Sequence, residues 1–280
     1  MAPDNIESPV RYPSDLSNEE WEILKPIFDE LEPYTTGRPR TTDLREILNA
    51  IFYLNKTGCP WRYLPKDFPS YKVVNYHYNK WTDNRMLEKV NAVLRRRFRE
   101  KKDRTPDPTG AIIDSQSVKG TPESFVESGF DGGKLVKGRK RHIVVDTIGC
   151  LLVVWVHAAN VFDGKAARQV IANLFLLLST VKIIWADSAY SGAELLDWVA
   201  CQFECVLEVV RKKKGAQGFH VLPRRWVVER TFAWLGRSRR LSKDYERKPT
   251  SSEAQVYLAS GRLLLRQICN NQIPYKLAVN

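Results

Sequence analysis

Ala111-Ile112-Ile113-Asp114-Ser115-Gln116-Ser117 is where the sequence changes its period. Before it, apolar residues recur every three or four positions; from it onward they come in strand-length runs. The stretch itself predicts a short buried strand with one acid near its end. Gly129 to Arg141 is rich in Gly and Lys and reads as a loop. It lacks the G-x-x-x-x-G-K-[ST] order of a phosphate-cradling loop. A hairpin follows, His142 to Asp146 and Cys150 to His157, turning at Thr147-Ile148-Gly149. Then come an amphipathic helix from Lys165 to Leu178, a strand from Lys182 to Asp187, a helix from Gly192 to Ala200 and a strand from Cys205 to Val210. A last helix carries Arg224-Arg225-Trp226-Val227-Val228-Glu229-Arg230, with Pro223 suited to its first turn and Gly236 to its stop.

Three strands, then helix, strand, helix, strand and helix is the order of an RNase H-like α/β domain, a mixed sheet flanked by helices. In that order the first and fourth strands lie side by side, so Asp114 and Asp187 become neighbours, and Glu229 can reach them from the last helix. Taken singly, each has an ordinary reading. An Asp at a strand end caps its own turn, and Glu229, four residues after Arg225, makes a common helical ion pair.

Residues 17–103 read as a helical domain preceding this one, with 1–16 poorly ordered, 104–110 a linker, 111–270 the catalytic domain and 271–280 a tail. Ser17 and Glu20 fit a capping box opening the first helix, in which Pro26 is expected to bend or break the pattern. A Gly-Arg-Pro-Arg turn at Gly37 to Arg40 precedes a second helix, lined by Leu44, Ile47, Leu48, Ile51 and Leu54 and ended by Gly58. A third, from Ser70 to about Trp81, turns Tyr71, Val74, Tyr78 and Trp81 inward. Lys72, Asn75, Tyr76, Asn79 and Lys80 are left outside, a face able to meet phosphates and base edges. The module is therefore helix-turn-helix-like. A fourth helix runs from Leu87 to about Arg99.

The 280-residue chain carries a net charge of +12, concentrated in Arg95 to Arg104, Lys134 to Arg141 and Arg211 to Lys248. The last of these holds 13 basic residues against Glu229, Asp244 and Glu246. Any single run reads as a solvated face; three together favour a polyanion, DNA or RNA. No apolar run is long enough to cross a membrane and no secretory leader opens the chain, so the expected compartment is the cytoplasm. Five cysteines without paired spacing, and four scattered histidines, predict neither a disulfide framework nor a zinc site. Three converging carboxylates instead suit hard divalent cations, two Mg²⁺ or Mn²⁺ ions about 3.5 to 4 Å apart, which support phosphodiester hydrolysis and transesterification.

The stretches Ile-Ile-Asp114-Ser-Gln-Ser, Trp-Ala-Asp187-Ser-Ala-Tyr and Arg-Arg-Trp-Val-Val-Glu229-Arg-Thr-Phe resemble the DDE transposases of bacterial insertion sequences, in particular the insertion-sequence-five group. Gly-Phe-Asp-Gly-Gly-Lys and Lys-Gly-Arg-Lys-Arg-His142, His157-Ala-Ala-Asn and Gly-Cys59-Pro-Trp-Arg carry the resemblance over nearly the whole chain. It implies Asp114, Asp187 and Glu229 as metal-binding catalytic acids with two Mg²⁺, for which Mn²⁺ can substitute. It further implies recognition of terminal inverted repeats and of target DNA, a homodimer or larger assembly on paired DNA ends, and work on the bacterial nucleoid. The broader family signature places Tyr three residues before the Arg and Lys seven after the Glu; here Leu222 and Gly236 stand there, and Arg237 is the candidate replacement. Arg225, Arg237, Arg239, Arg240, Lys243, Lys137, Arg139, Lys140 and Arg141 are the expected DNA contacts of this domain, beside Lys72, Asn75, Asn79 and Lys80 of the first. Two rivals stay open: a nuclease of the same fold that cuts without joining, and a catalytically silent DNA-binding descendant.

Overall fold

The computed structural model describes residues 11–33, 41–124, 126–210 and 224–269. The expected turn at Gly37 to Arg40, Pro223 and the tail 271–280 lie outside the described residues.

Period 2 alternation decides the sheet. Strand β1 (Gly110–Lys119) buries Ala111 and Ile113 on one face and Ile112 on the other. It is ten residues long rather than short, so Asp114 sits in mid-strand. β3 (Val136–Asp146) runs antiparallel to β1 with Asp114 opposite Ile143 and Ser115 opposite His142. The outer side of β3 pairs with β4 (Leu151–Ala158) and, beyond that, with the short β2 (Gly129–Asp131). On its other side β1 pairs in parallel with β5 (Ile183–Ala186), and β5 with β6 (Val206–Val209). The order β4-β3-β1-β5-β6 is that of an RNase H-like sheet, with the first and fourth predicted strands adjacent.

The Gly- and Lys-rich loop expected from Gly129 to Arg141 is instead largely strand: β2, a turn, and the first half of β3. The run is solvated through Lys137, and from Gly138 to Arg141 it is buried. Gly138 fits this close pairing for a steric reason, since a Cβ there would stand 2.1 Å from the Val118 carbonyl oxygen.

Helices cover both faces. α5 (Asp163–Leu177) and α6 (Ala193–Phe203) pack on Ala111, Ile113, Val144 and Ile184. The opposite face carries α7 (Trp226–Leu235) and α8 (Pro249–Cys269). At 21 residues α8 is the longest described helix, and it lies beyond the last helix expected from the sequence. It buries Ala254, Leu258, Gly261 and Leu265 at helical spacing.

The N-terminal helices are α1 (Asn18–Leu31), α2 (Leu44–Thr57), α3 (Tyr71–Asp83) and α4 (Met86–Lys101). The Ser17 capping box forms, and α1 continues through Pro26 without a break. Gly58 ends α2 at φ +75°, where a Cβ is costly. One apolar cluster joins Leu24, Ile51, Tyr78 and Leu94 of these helices to Val256 and Leu265 of α8 and to Ile112 and Ile143 of the sheet. The core is therefore continuous across 104–110. Residues 11–16 belong to it as well: Leu16 is buried, its amide donates to Asn49, and Arg262 donates to the Asp15 carbonyl. None of the helices in the described residues is long and apolar enough to cross a membrane.

Candidate active site and the polar frame behind it

β1 turns Asp114 toward α7, on the same face as Ile112. Asp187 follows the last residue of β5 and caps the turn 188–190, its Oδ1 accepting the Ala189 N–H at 2.8 Å. Asp114 is held in the same way, Oδ1 accepting the Ser115 N–H at 2.7 Å. Each aspartate thus has one oxygen fixed by backbone and the other turned outward.

What the outward oxygens face is Arg225. Its Nη2 lies 3.3 Å from Asp114 Oδ2, 3.7 Å from Asp187 Oδ2 and 3.8 Å from Glu229 Oε1. The three acids expected to converge do so, around one nitrogen. The helical ion pair between Arg225 and Glu229 is present too. Arg225 comes immediately before α7, and the residue before it, Arg224, has φ +67° and lies 3.9 Å over the Trp185 ring. This turn directs the two consecutive arginines apart, one onto an indole and one onto the acids.

Burial pushes the Asp114 carboxyl above its usual range, against the Ser115 amide and Arg225, which pull it down. The donor set, three carboxylates already sharing a cation, is one a divalent ion takes. Yet a guanidinium stands in the middle, and among the described residues no group of three or more His, Cys, Asp or Glu side chains is arranged to hold a metal. The residues fit such an ion on one condition, that Arg225 withdraws.

Of the other expected DNA contacts, several are spent inside the protein. Arg139 is wholly buried, paired to Asp244 at 3.3 Å and donating to the carbonyls of Val126, Glu246 and Arg247. Arg141 donates to the Leu241 and Lys243 carbonyls, and buried Arg240 pairs with Glu246 at 2.6 Å. Lys140 is buried against Asp163 at 2.8 Å. The basic run at Arg95 behaves alike, with Arg99 ion-paired to buried Asp146 and Arg95 to Asp107. A charge run marks a phosphate site only where its members face water, and β3 turns three consecutive cations into the two covered faces of the sheet. Lys137, Arg237, Arg239 and Lys243 are exposed, as are Lys72, Asn79 and Lys80 on α3, with Asn75 half-buried. Asn79 donates to Asn75, and Lys80 pairs with Glu32.

The polar frame behind Asp114 was not anticipated. Ser115, Ser117, Lys140, His142, His157, Asp131, Asp163 and Tyr190 lie on the α5 face of the sheet. No alternation in the sequence marks it, because Arg139, Lys140, Arg141 and His142 are consecutive polar residues and all are buried.

Strand order and the meeting of two strand acids with a helix acid define the class: an RNase H-like α/β domain with its acidic site at the adjoining strands β1 and β5. A family model described as "Transposase DDE domain" matches residues 105–264, more than half of the chain, and a second, "Putative transposase of IS4/5 family", matches residues 16–91. The chain belongs to the DDE transposase family. It is 30% identical over 118 residues to the "Putative transposase for insertion sequence element IS402" of Burkholderia cepacia, covering 40% of this chain and 55% of that protein. It is also 30% identical over 81 residues to "Uncharacterized protein y4sN" of Sinorhizobium fredii (strain NBRC 101917 / NGR234), covering 29% of this chain and 63% of that one. The chain thus spans less than two thirds of either relative's length. Among solved structures, the Mos1 mariner paired end complex with Mn aligns over 86% of this chain and 81% of its own at 12% identity and a TM-score of 0.31. The Mos1 strand transfer complex aligns over 85% and 82% at 11% identity and a TM-score of 0.25.

Proposed function

We propose that this protein is the transposase of an insertion sequence, binding the element's terminal inverted repeats and cutting and joining DNA strands with Asp114, Asp187 and Glu229. The observation that carries the reading is the convergence of those three acids, from β1, the end of β5 and α7, on a single cationic centre. The acids would hold two divalent ions, Mg²⁺ with Mn²⁺ as a substitute, and such ions activate a water or a 3′-hydroxyl and steady the leaving oxygen at a phosphodiester.

The chain's own residues then do three things. Asp114 Oδ2 and Asp187 Oδ2 present charge while their Oδ1 atoms stay fixed on backbone amides, so little reorganisation is needed when a cation is taken up. Arg225 leaves the acids, and its guanidinium becomes free to meet a phosphate. Exposed Lys137, Arg237, Arg239 and Lys243 hold the DNA backbone near the site, and the outer face of α3 reads the repeat in a groove. A homodimer or larger assembly, acting in the bacterial cytoplasm, would bring two ends together.

The test is a joining assay. Purified protein, a short duplex with the element's terminal repeat and a target plasmid are incubated with and without Mg²⁺. Metal-dependent joining of the 3′-OH end to the plasmid is the expected result. Cleavage without joining would make the protein a nuclease; binding without either reaction would make it a silent DNA-binding descendant.

Arg225→Ala gives a separate readout. With the guanidinium gone the three acids repel one another in metal-free buffer, so the melting temperature is expected to fall without divalent ions and recover with them. Mn²⁺ affinity is expected to rise about tenfold, because no cation has to be displaced. Unchanged melting in metal-free buffer would show that the guanidinium does not offset that repulsion.

A further inference from the structure

The polar groups on the α5 face have two ends, and both reach the candidate catalytic aspartates. At one end Ser115, whose N–H holds Asp114 Oδ1, donates its Oγ–H to Asp163 Oδ2 at 3.1 Å. At the other, Tyr190 closes the turn whose Ala189 amide holds Asp187 Oδ1, and its hydroxyl is 3.1 Å from His142 Nδ1. His142 Nε2 in turn faces Asp163 Oδ1 at 3.6 Å. Burial lowers the His142 pKa to about 3, so the ring is neutral. The Tyr190 hydroxyl and Nδ1 share one hydrogen bond, and Nε2, which has no hydrogen-bond partner, stands beside the Asp163 carboxylate without bonding it.

Asp163 is where the two branches meet. Lys140 clamps it at 2.8 Å and is itself fixed by donating to the Val161 carbonyl and by Asp131 at 3.6 Å, whose Oδ2 accepts from Ser117 at 2.6 Å. Asp163 is also the first residue of α5, and the next residue, Gly164, backs onto the same turn: a Cβ there would stand 3.1 Å from the Ala189 carbonyl. Burying Lys140 and His142 beside half-buried Asp163 costs desolvation that an apolar layer would avoid. Their hydrogen-bonding capacity leads to the two backbone amides that orient the aspartates.

We propose that Asp163, clamped by Lys140, is a positioning residue that sets the separation of Asp114 and Asp187 through Ser115 on one side and His142–Tyr190 on the other. This rests on the metal-binding reading of those two aspartates. Outer partners of metal-holding carboxylates typically change metal affinity by about 10- to 100-fold when removed.

The test is Mn²⁺ titration of the full-length protein, followed by electron paramagnetic resonance, with the Mn²⁺ concentration for half-maximal DNA cleavage as a second readout. Asp163→Asn is expected to weaken Mn²⁺ binding by about tenfold or more and to raise the half-maximal concentration in step. Metal-free DNA binding should stay at the wild-type level. Ser115→Ala should weaken Mn²⁺ binding by a smaller factor, and Ser115→Thr, which keeps the hydroxyl, should restore it. A folded Asp163→Asn protein with wild-type Mn²⁺ affinity would overturn the proposal. Should Asp163→Asn fail to fold, equal affinities in Ser115→Ala and Ser115→Thr would overturn it instead. Equal Mn²⁺ binding by wild type and Asp114→Ala would mark failure of the metal-binding reading itself, and this proposal would fall with it.

Discussion

An Asp114→Ala protein is expected to bind end DNA as wild type does and to cut it at least about a thousandfold more slowly. The magnitude follows from what is removed. A metal-held phosphodiester gains several kcal/mol of charge stabilisation in the transition state, and each 1.36 kcal/mol is about tenfold in rate. Of the two aspartates, Asp114 is held by the more rigid element, a mid-strand position paired with Ile143 of β3. Its fold should survive. Burial raises the Asp114 pKa, so the folded state holds that proton more tightly than the unfolded chain. A raised carboxyl takes stability away as pH rises through the interval between its unfolded and folded pKa. At neutral pH, removing it is therefore expected to leave the melting temperature at or above the wild-type value. Cleavage within about tenfold of wild type would end the catalytic account, and a large drop in melting temperature would mean that Asp114 is a structural ion-pair partner of Arg225.

The second large effect lies away from the site. Arg139→Ala is expected to destabilise the protein by about 3 to 5 kcal/mol, read from urea unfolding midpoints, because Asp244 would be left charged and buried without its partner. The carbonyls of Val126, Glu246 and Arg247 would lose their donor in the same step. These bonds fasten the segment after α7 across the sheet, where Asp244 also bridges Gly120. Lys137→Ala, two residues earlier and exposed, should leave the midpoint unchanged and weaken DNA binding with a reduced salt slope. A loss of DNA affinity in Arg139→Ala at unchanged stability would return Arg139 to the phosphate contacts.

This pair of neighbouring cations shows where sequence reading stops. Lys137 and Arg139 look alike as members of one basic run, and period 2 alone says that they share a face of β3. It does not say that α8 and the segment after α7 cover that face at Arg139 and leave it open at Lys137. In the same way, the helical period of α8 lies in Ala254, Leu258, Gly261 and Leu265 and is local to the sequence. Its packing against α4, which joins the N-terminal helices to the catalytic sheet, was not, because nothing local records which distant helix covers an apolar stripe.

The sequence by itself determined the order of β1, the β3–β4 hairpin, α5, β5, α6, β6 and α7, though neither β2 nor α8, and it singled out the three acids, since alternation and helical spacing are local properties. Tertiary structure decided that Arg225 sits among those acids and that a frame of buried Lys140 and His142 with half-buried Asp163 stands behind them. It also turned half of the basic residues expected on the surface inward. Each of these depends on which side chains meet across elements far apart in the chain, and a charge in the sequence carries no mark of whether its counter-charge is a phosphate outside or a carboxylate within.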